Sequence, residues 1–155
     1  MLLVLAAASA VPVELGFAWA EFSRAEMLRH VTTRVEVGTL GYDRARDRPD
    51  FWVRRTVTTL RGEQVSWIDA RNCPAVRPAL ASMRSLPVPR FAPVGSSKGP
   101  PMYLDGNGYF LRSYSDDGML TEETSLGTPL ASWVEATLKA LGPCWASTVP
   151  RRLKS

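Results

Sequence analysis

Residues 51–70 read FWVRRTVTTLRGEQVSWIDA, and the fold prediction starts from this stretch. Residues 51–60 and 65–70 are rich in β-branched and aromatic side chains, which are typical of β-strands. The polar residues 61–64 lie between them and include a glycine, which favours a tight turn. We therefore predict an antiparallel β-hairpin.

The residues before this hairpin extend the predicted sheet. Residues 31–40 (VTTRVEVGTL) are β-branched and partly alternating, which favours a strand, and residues 41–50 form a polar loop. Residues 14–29 carry apolar side chains at about three-residue spacing, so a helix is expected there.

A first helix is expected after the hairpin. Asn72 or Cys73 would cap it, and Pro74 would lie in its first turn, where the missing N–H costs little. Val76, Leu80 and Met83 then form one apolar face, and the helix ends at residues 86–87. Residues 87–101 contain five prolines and two glycines and are expected to form a loop.

The second half of the chain repeats this order of elements. Residues 102–104 and 109–114 flank an Asn-Gly pair, a strong hairpin signal, and residues 119–125 predict a further strand. Thr128 and Pro129 predict the start of a second helix. Its apolar stripe consists of Leu130, Trp133, Val134, Thr137, Leu138 and Leu141.

These elements predict an α+β fold in βββα-βββα order, with a mostly antiparallel sheet and two helices on one face. Residues 11–145 form the single domain, and residues 146–155 form a loose basic tail. Cys73 precedes the first helix and Cys144 follows the second. If the helices pack antiparallel, these two cysteines meet and form one disulfide.

The N-terminus has the pattern of a secretory signal peptide. Residues 1–13 are uncharged, and a short apolar run is followed by the small residues Ala8, Ser9 and Ala10. We predict cleavage after Ala10, with Ala20 as the alternative, and hence a periplasmic or secreted protein. The basic residue that usually opens such a leader is missing. A membrane span is not expected, because a proline, a glutamate and a glycine interrupt the apolar stretch.

Composition and motifs argue against several classes of function. The net charge is +4, but acidic residues are interspersed among the basic ones, so a nucleic-acid partner is not expected. The chain has one histidine, His30, and lacks Gly-x-Ser-x-Gly, phosphate-loop and Cys-x-x-Cys motifs. We therefore predict no catalytic constellation, metal site or cofactor.

A surface of aromatic and basic residues is the candidate binding site. Alternation places Trp52 and Arg54 on one face of their strand, and Phe110, Arg112 and Tyr114 on one face of theirs. If the opposite faces pack on the helices, these side chains point outward, as hot-spot residues do. We predict a non-catalytic binding or inhibitor-type module for an envelope or extracellular protein or glycan.

Two alternatives remain open. The protein could be a structural envelope subunit. It could also be an envelope hydrolase that uses a pair of carboxylates from the second meander, as glycosidases do. The available carboxylates are Asp105, Asp116, Asp117, Glu122 and Glu123.

Overall fold

A computed structural model describes residues 17–87, 106–115, 118–124 and 127–153 of the 155-residue chain. Six strands and two α-helices follow one another in ββββα-ββα order. The strands are β1 (Ala18–Glu26), β2 (Val31–Asp43), β3 (Arg48–Thr59), β4 (Gly62–Asp69), β5 (Asn107–Ser115) and β6 (Gly118–Thr124). The α-helices are α1 (Val76–Ser82), after β4, and α2 (Pro129–Leu141), after β6.

The six strands form one antiparallel sheet in the order β4-β3-β2-β1-β5-β6. Four consecutive strands pair with their chain neighbours, and the connection after α1 brings β5 to the free side of β1. The predicted α+β class with an antiparallel sheet is therefore correct. β3 and β4 form the predicted hairpin, but the chain turns at residues 60–61 and not at residues 61–64, so β4 begins earlier than expected.

The prediction of a helix within residues 14–29 is wrong, because β1 occupies this part of the chain. Ala20 and Phe22 lie on one face of β1 and are buried, while Glu21 and Ser23 lie on the other. In so short a stretch, the spacing of the apolar residues is compatible with a helix or a strand. The segment forms a strand because its backbone pairs with β2 on one side and with β5 on the other. The expected βββα-βββα repeat is replaced by ββββα-ββα among the described residues.

Both helices pack on the same face of the sheet and bury their apolar stripes there. Thr128 caps α2 as predicted, since its Oγ1 accepts a hydrogen bond from Ala131 N at 3.1 Å. The cap predicted for α1 is wrong. The N-cap of α1 is Ala75, without a side-chain hydrogen bond, because the chain turns once more before the helix starts.

The Cys73–Cys144 disulfide is present, with its Cα atoms 5.8 Å apart. It joins the residues before α1 to those after α2. At the other end of the helix pair, Nε1 of Trp133, the fifth residue of α2, donates to Oγ of Ser82, the last residue of α1, at 3.0 Å. The two helices therefore run antiparallel, as the disulfide prediction assumed.

The C-terminal segment (residues 146–153) packs against the sheet, whereas the sequence predicts a loose tail. Ala146 pairs with Trp67 on the outer edge of β4 through two backbone hydrogen bonds of 2.8 and 2.9 Å. The chain then crosses to the sheet face opposite the helices, where Val149 and Leu153 pack near Trp52 and Trp67. Burial of these aliphatic side chains explains why the segment is held.

Several predictions concern residues outside the described part of the chain, namely residues 1–10, residues 88–101 and the strand at 102–104. None of the helices in the described ranges combines the length and the apolar character that a membrane crossing requires.

Candidate functional site: the open face of the sheet

The face of the sheet opposite α1 and α2 carries the candidate site, and we call it the open face. The alternation of each strand sends one set of side chains to the helices and the other set to this face. The described side chains on this face include Glu21, Ser23, Thr32, Arg34, Glu36, Trp52, Arg54, Thr56, Thr58, Glu63, Val65, Trp67, Phe110, Arg112 and Tyr114. The five residues predicted as a binding surface all belong to it.

A line of alternating charges crosses the open face, and we call it the charge row. It consists of Arg112, Glu21, Arg34, Glu36 and Arg54. The strand register places Arg112, Glu21, Glu36 and Arg54 side by side on β5, β1, β2 and β3. Arg34 precedes Glu36 by two residues on β2 and so lies beside both carboxylates.

Each carboxylate of the charge row is held by two arginines. Glu21 accepts from Arg112 Nη2 at 2.5 Å and pairs with Arg34 Nε at 3.0 Å. Glu36 accepts from Arg34 Nη2 at 3.3 Å and from Arg54 Nε at 2.7 Å. Shared pairing satisfies carboxylates that would otherwise be costly to remove from water.

The two signs of charge differ in their access to solvent. The side chains of Glu21 and Glu36 are 11% and 9% exposed, whereas those of Arg34, Arg54 and Arg112 are 47%, 33% and 42% exposed. Three guanidinium groups against two carboxylates leave a formal charge of +1. The surface that a ligand meets along the charge row is therefore mainly guanidinium.

A shallow groove of about 490 Å³ lies beside the charge row over β2, β3 and β4. Three threonines provide hydroxyl and methyl groups along it, and Val65 provides an apolar edge. Its lining residues are Thr32, Arg34, Glu36, Arg54, Thr56, Thr58, Glu63 and Val65. The groove thus joins hydroxyl groups to one half of the charge row.

The predicted exposure of Trp52 is wrong, since this residue is only 2% exposed. It lies opposite Gly38 on β2, and a side chain beginning at residue 38 would overlap the indole ring. Trp67 packs beside it with ring centroids 6.4 Å apart, and Leu153 covers the pair. Trp52 is thus a core residue of the open face and offers no ring for a ligand to contact.

The other four predicted residues are accessible, although β2 and β1 separate them into two groups. Arg54 on β3 lies over the Trp67 ring, with its Cζ 5.9 Å from the centroid. Arg112 is at the far end of the charge row on β5, between half-buried Phe110 and exposed Tyr114. Tyr114 also makes an edge-to-face contact with the exposed Phe17, at 4.7 Å between centroids.

The residues that join these groups were missed in the sequence prediction. Arg34 and Glu36 alternate with Val35 and Val37, and this alternation already marks them as facing away from the core. Glu21 was hidden because its segment was predicted to be helical. Trp67 follows from the register of β3 and β4, in which it pairs with Arg54.

A second charged group lies at the end of the β2–β3 hairpin. Arg71 pairs with Asp50 at 2.9 Å and with Asp43 at 3.5 Å, and Arg46 pairs with Asp43 at 3.0 Å. The hydrogen bond from Arg46 lowers the pKa of Asp43 from its ordinary value, against the effect of burial. These pairs join the end of the β2–β3 hairpin to Arg71, which lies two residues beyond the end of β4.

The carboxylates of the hydrolase alternative are only partly placed. Glu122 and Glu123 lie on β6, where they pair with Leu111 and Phe110. Asp105, Asp116 and Asp117 lie outside the described residues. Among the residues that are described, no three histidine, cysteine, aspartate or glutamate side chains gather in the way that a metal ion requires.

No protein-family model matches this chain, and neither a curated protein nor a solved structure is significantly similar to it. Function therefore has to be argued from the chemistry of the open face.

Proposed function

We propose that the protein is an exported, non-catalytic binding or inhibitor-type module that captures an envelope or extracellular ligand on the open face of its sheet. The observation that carries the proposal is the charge row. Its three partly exposed arginines are held in place by carboxylates beneath them, so little side-chain freedom is lost when a ligand binds.

The arrangement of the helices supports this use of the sheet. Both helices lie on one face, and the C-terminal segment covers only the Trp52–Trp67 end of the other. The remainder of the open face carries arginine, threonine and tyrosine side chains, which suit reversible contact with polar ligands. A broad, shallow surface of this kind fits recognition better than it fits a reaction that must exclude water.

Export is supported by the disulfide, because such bonds persist in oxidising compartments. We propose cleavage of the leader after Ala10. Cleavage after Ala20 would remove the first three residues of β1, among them Ala20, which is buried in the core. The intact mass of protein recovered from an exporting bacterial host should show the loss of residues 1–10 and the gain of two hydrogens on reduction. A full-length mass with free thiols would contradict export.

A photocrosslinker at Thr32 tests the binding surface. Thr32 is exposed, lines the groove and makes no side-chain hydrogen bond within the described residues. We expect light-dependent adducts with components of the envelope fraction of the source cells. The matched control places the same crosslinker at Ala81, which is exposed on α1. Adducts that are equal at both positions, or absent at both, would contradict the proposal.

A further inference from the structure

We infer that the ligand of the open face is a linear acidic polysaccharide, with carboxylate or sulfate groups along its chain, that lies along the charge row. This inference rests on the proposed binding function and adds the chemical class of the ligand.

The three arginines of the charge row have donor groups that their ion pairs leave unused. Arg34 and Arg54 pair with the carboxylates through Nε and Nη2, and Arg112 through Nη2. Within the described residues, Nη1 of each guanidinium donates no hydrogen bond to another side chain. A guanidinium whose position is fixed on one edge and whose other edge is free is suited to planar anions such as carboxylate and sulfate.

The spacing of these arginines favours a chain whose charges are separated. Arg34 lies diagonally across from Arg54 on the adjacent strand, about 7–8 Å away. Arg112 lies two strands from Arg34, about 10 Å across the sheet, and is offset from it by two residues along the strands. A pyranose ring is about as long as one strand spacing. A glycan laid across the strands can therefore bring an acidic group to each arginine.

The groove beside the row supplies what the neutral part of a sugar needs. The hydroxyl groups of Thr32 and Thr56 can exchange hydrogen bonds with sugar hydroxyls, whereas the Thr58 hydroxyl already donates to Glu63 Oε1 at 3.2 Å. The threonine methyl groups and Val65 can contact C–H faces of the sugar. A densely charged phosphate polymer is a poorer fit, because Glu21, Glu36 and Glu63 also line this surface and the charge row carries only +1. An apolar peptide anchor fits poorly as well, since Val65 alone is apolar in the described lining.

The test measures binding of the oxidised full chain to three polymers of similar length by titration calorimetry. Polygalacturonate carries carboxylates, dextran sulfate carries sulfates, and dextran is neutral. We expect at least one acidic polymer to bind, dextran not to bind, and the affinity to fall with added salt. The acidic polymer that binds more tightly identifies the anionic group.

Two substitutions and a matched control locate the binding. Arg112→Gln should lower the affinity for the acidic polymer about tenfold, since a charge-assisted hydrogen bond is lost. Glu63→Gln removes a negative charge that repels an acidic ligand from the groove, so the affinity for the acidic polymer should rise about twofold. Arg84→Gln is the control, because Arg84 is exposed beside the helices and its loss changes the net charge equally. Thermal melting of each variant verifies the fold.

Equal weakening by Arg112→Gln and Arg84→Gln in folded protein would overturn the inference, because it would indicate attraction by net charge alone. Binding of dextran as tight as that of the acidic polymers would overturn it too. If no polymer binds while the Thr32 crosslinks persist, the polysaccharide class is wrong and the binding function stands. If the Thr32 crosslinks are absent as well, both fail.

Discussion

Gly38 lies on β2 directly opposite Trp52, and the indole ring fills the space that a side chain at residue 38 would enter. We expect Gly38→Ala to lower the free energy of unfolding by about 1–3 kcal/mol, because the buried ring has to move. Gly108→Ala is the control, since a Cβ at this β5 glycine meets only the Ala25 Cβ, at 3.9 Å. Urea denaturation measures both variants. Equal losses would show that the effect comes from the strand backbone and not from the contact with Trp52.

Tyr109 is a buried residue whose hydroxyl donates to Glu135 Oε1 at 2.8 Å, joining β5 to α2. Burial raises the pKa of Tyr109 from its ordinary value, and the hydrogen bond to Glu135 acts in the same direction. The unfolded chain therefore loses this phenolic proton at lower pH than the folded protein. The stability due to Tyr109 is complete below about pH 10 and falls as the pH increases further.

Tyr109→Phe tests this linkage. At neutral pH the variant should lose about 1 kcal/mol of unfolding free energy, since the hydrogen bond to Glu135 is removed. Between about pH 9 and about pH 11 its unfolding free energy should fall less steeply than that of the wild type. Urea midpoints measured across this range decide the matter. Parallel pH profiles for the two proteins would contradict the role given to Tyr109.

The C-terminal segment is the element whose packing differs most from expectation, and Leu153 anchors it. Leu153 is 8% exposed against Trp52 and Trp67, whereas Leu60, in the β3–β4 turn, is 83% exposed. We expect Leu153→Ala to lower the unfolding free energy by about 2 kcal/mol and to shift tryptophan fluorescence to longer wavelength. Leu60→Ala should change stability by less than about 0.5 kcal/mol. A fluorescence spectrum unchanged by Leu153→Ala would mean that the segment does not cover the tryptophans.

The disulfide acts on the molecule as a whole, because it closes a loop between residues 71 positions apart. Reduction should lower the unfolding free energy by about 4 kcal/mol, mainly by freeing the unfolded chain. Urea midpoints with and without reductant measure this loss. The double variant Cys73→Ala/Cys144→Ala should match the reduced protein and should not respond to reductant. A reduced protein as stable as the oxidised one would show that packing alone holds the helices.

Whether an element could be predicted from the sequence depends on how close together along the chain the residues that determine it lie. The β3–β4 hairpin, the stripe of α2 and its Thr128 cap were predictable, because period, turn residues and cap lie within a few positions of one another. β1 was not predictable, because its strand identity comes from pairing with β2 on one side and β5 on the other. Its misassignment as a helix also concealed Glu21, one of the two carboxylates of the charge row.

At the scale of the whole protein, residue order alone was sufficient for the α+β class, the disulfide and the side of each strand on which Arg54, Phe110, Arg112 and Tyr114 lie. These properties follow from short-range periodicity and from where the cysteines fall relative to the helices. Only the tertiary structure could bring Arg112 and Arg54 into one row, since Glu21, Arg34 and Glu36 connect them across two intervening strands. The burial of Trp52 also depends on the tertiary structure, because Gly38 and Leu153, which lie next to its ring, come from distant parts of the chain. Burial and ion pairing depend on neighbours in space, and neighbours in space are set by long-range strand register, which no local pattern encodes.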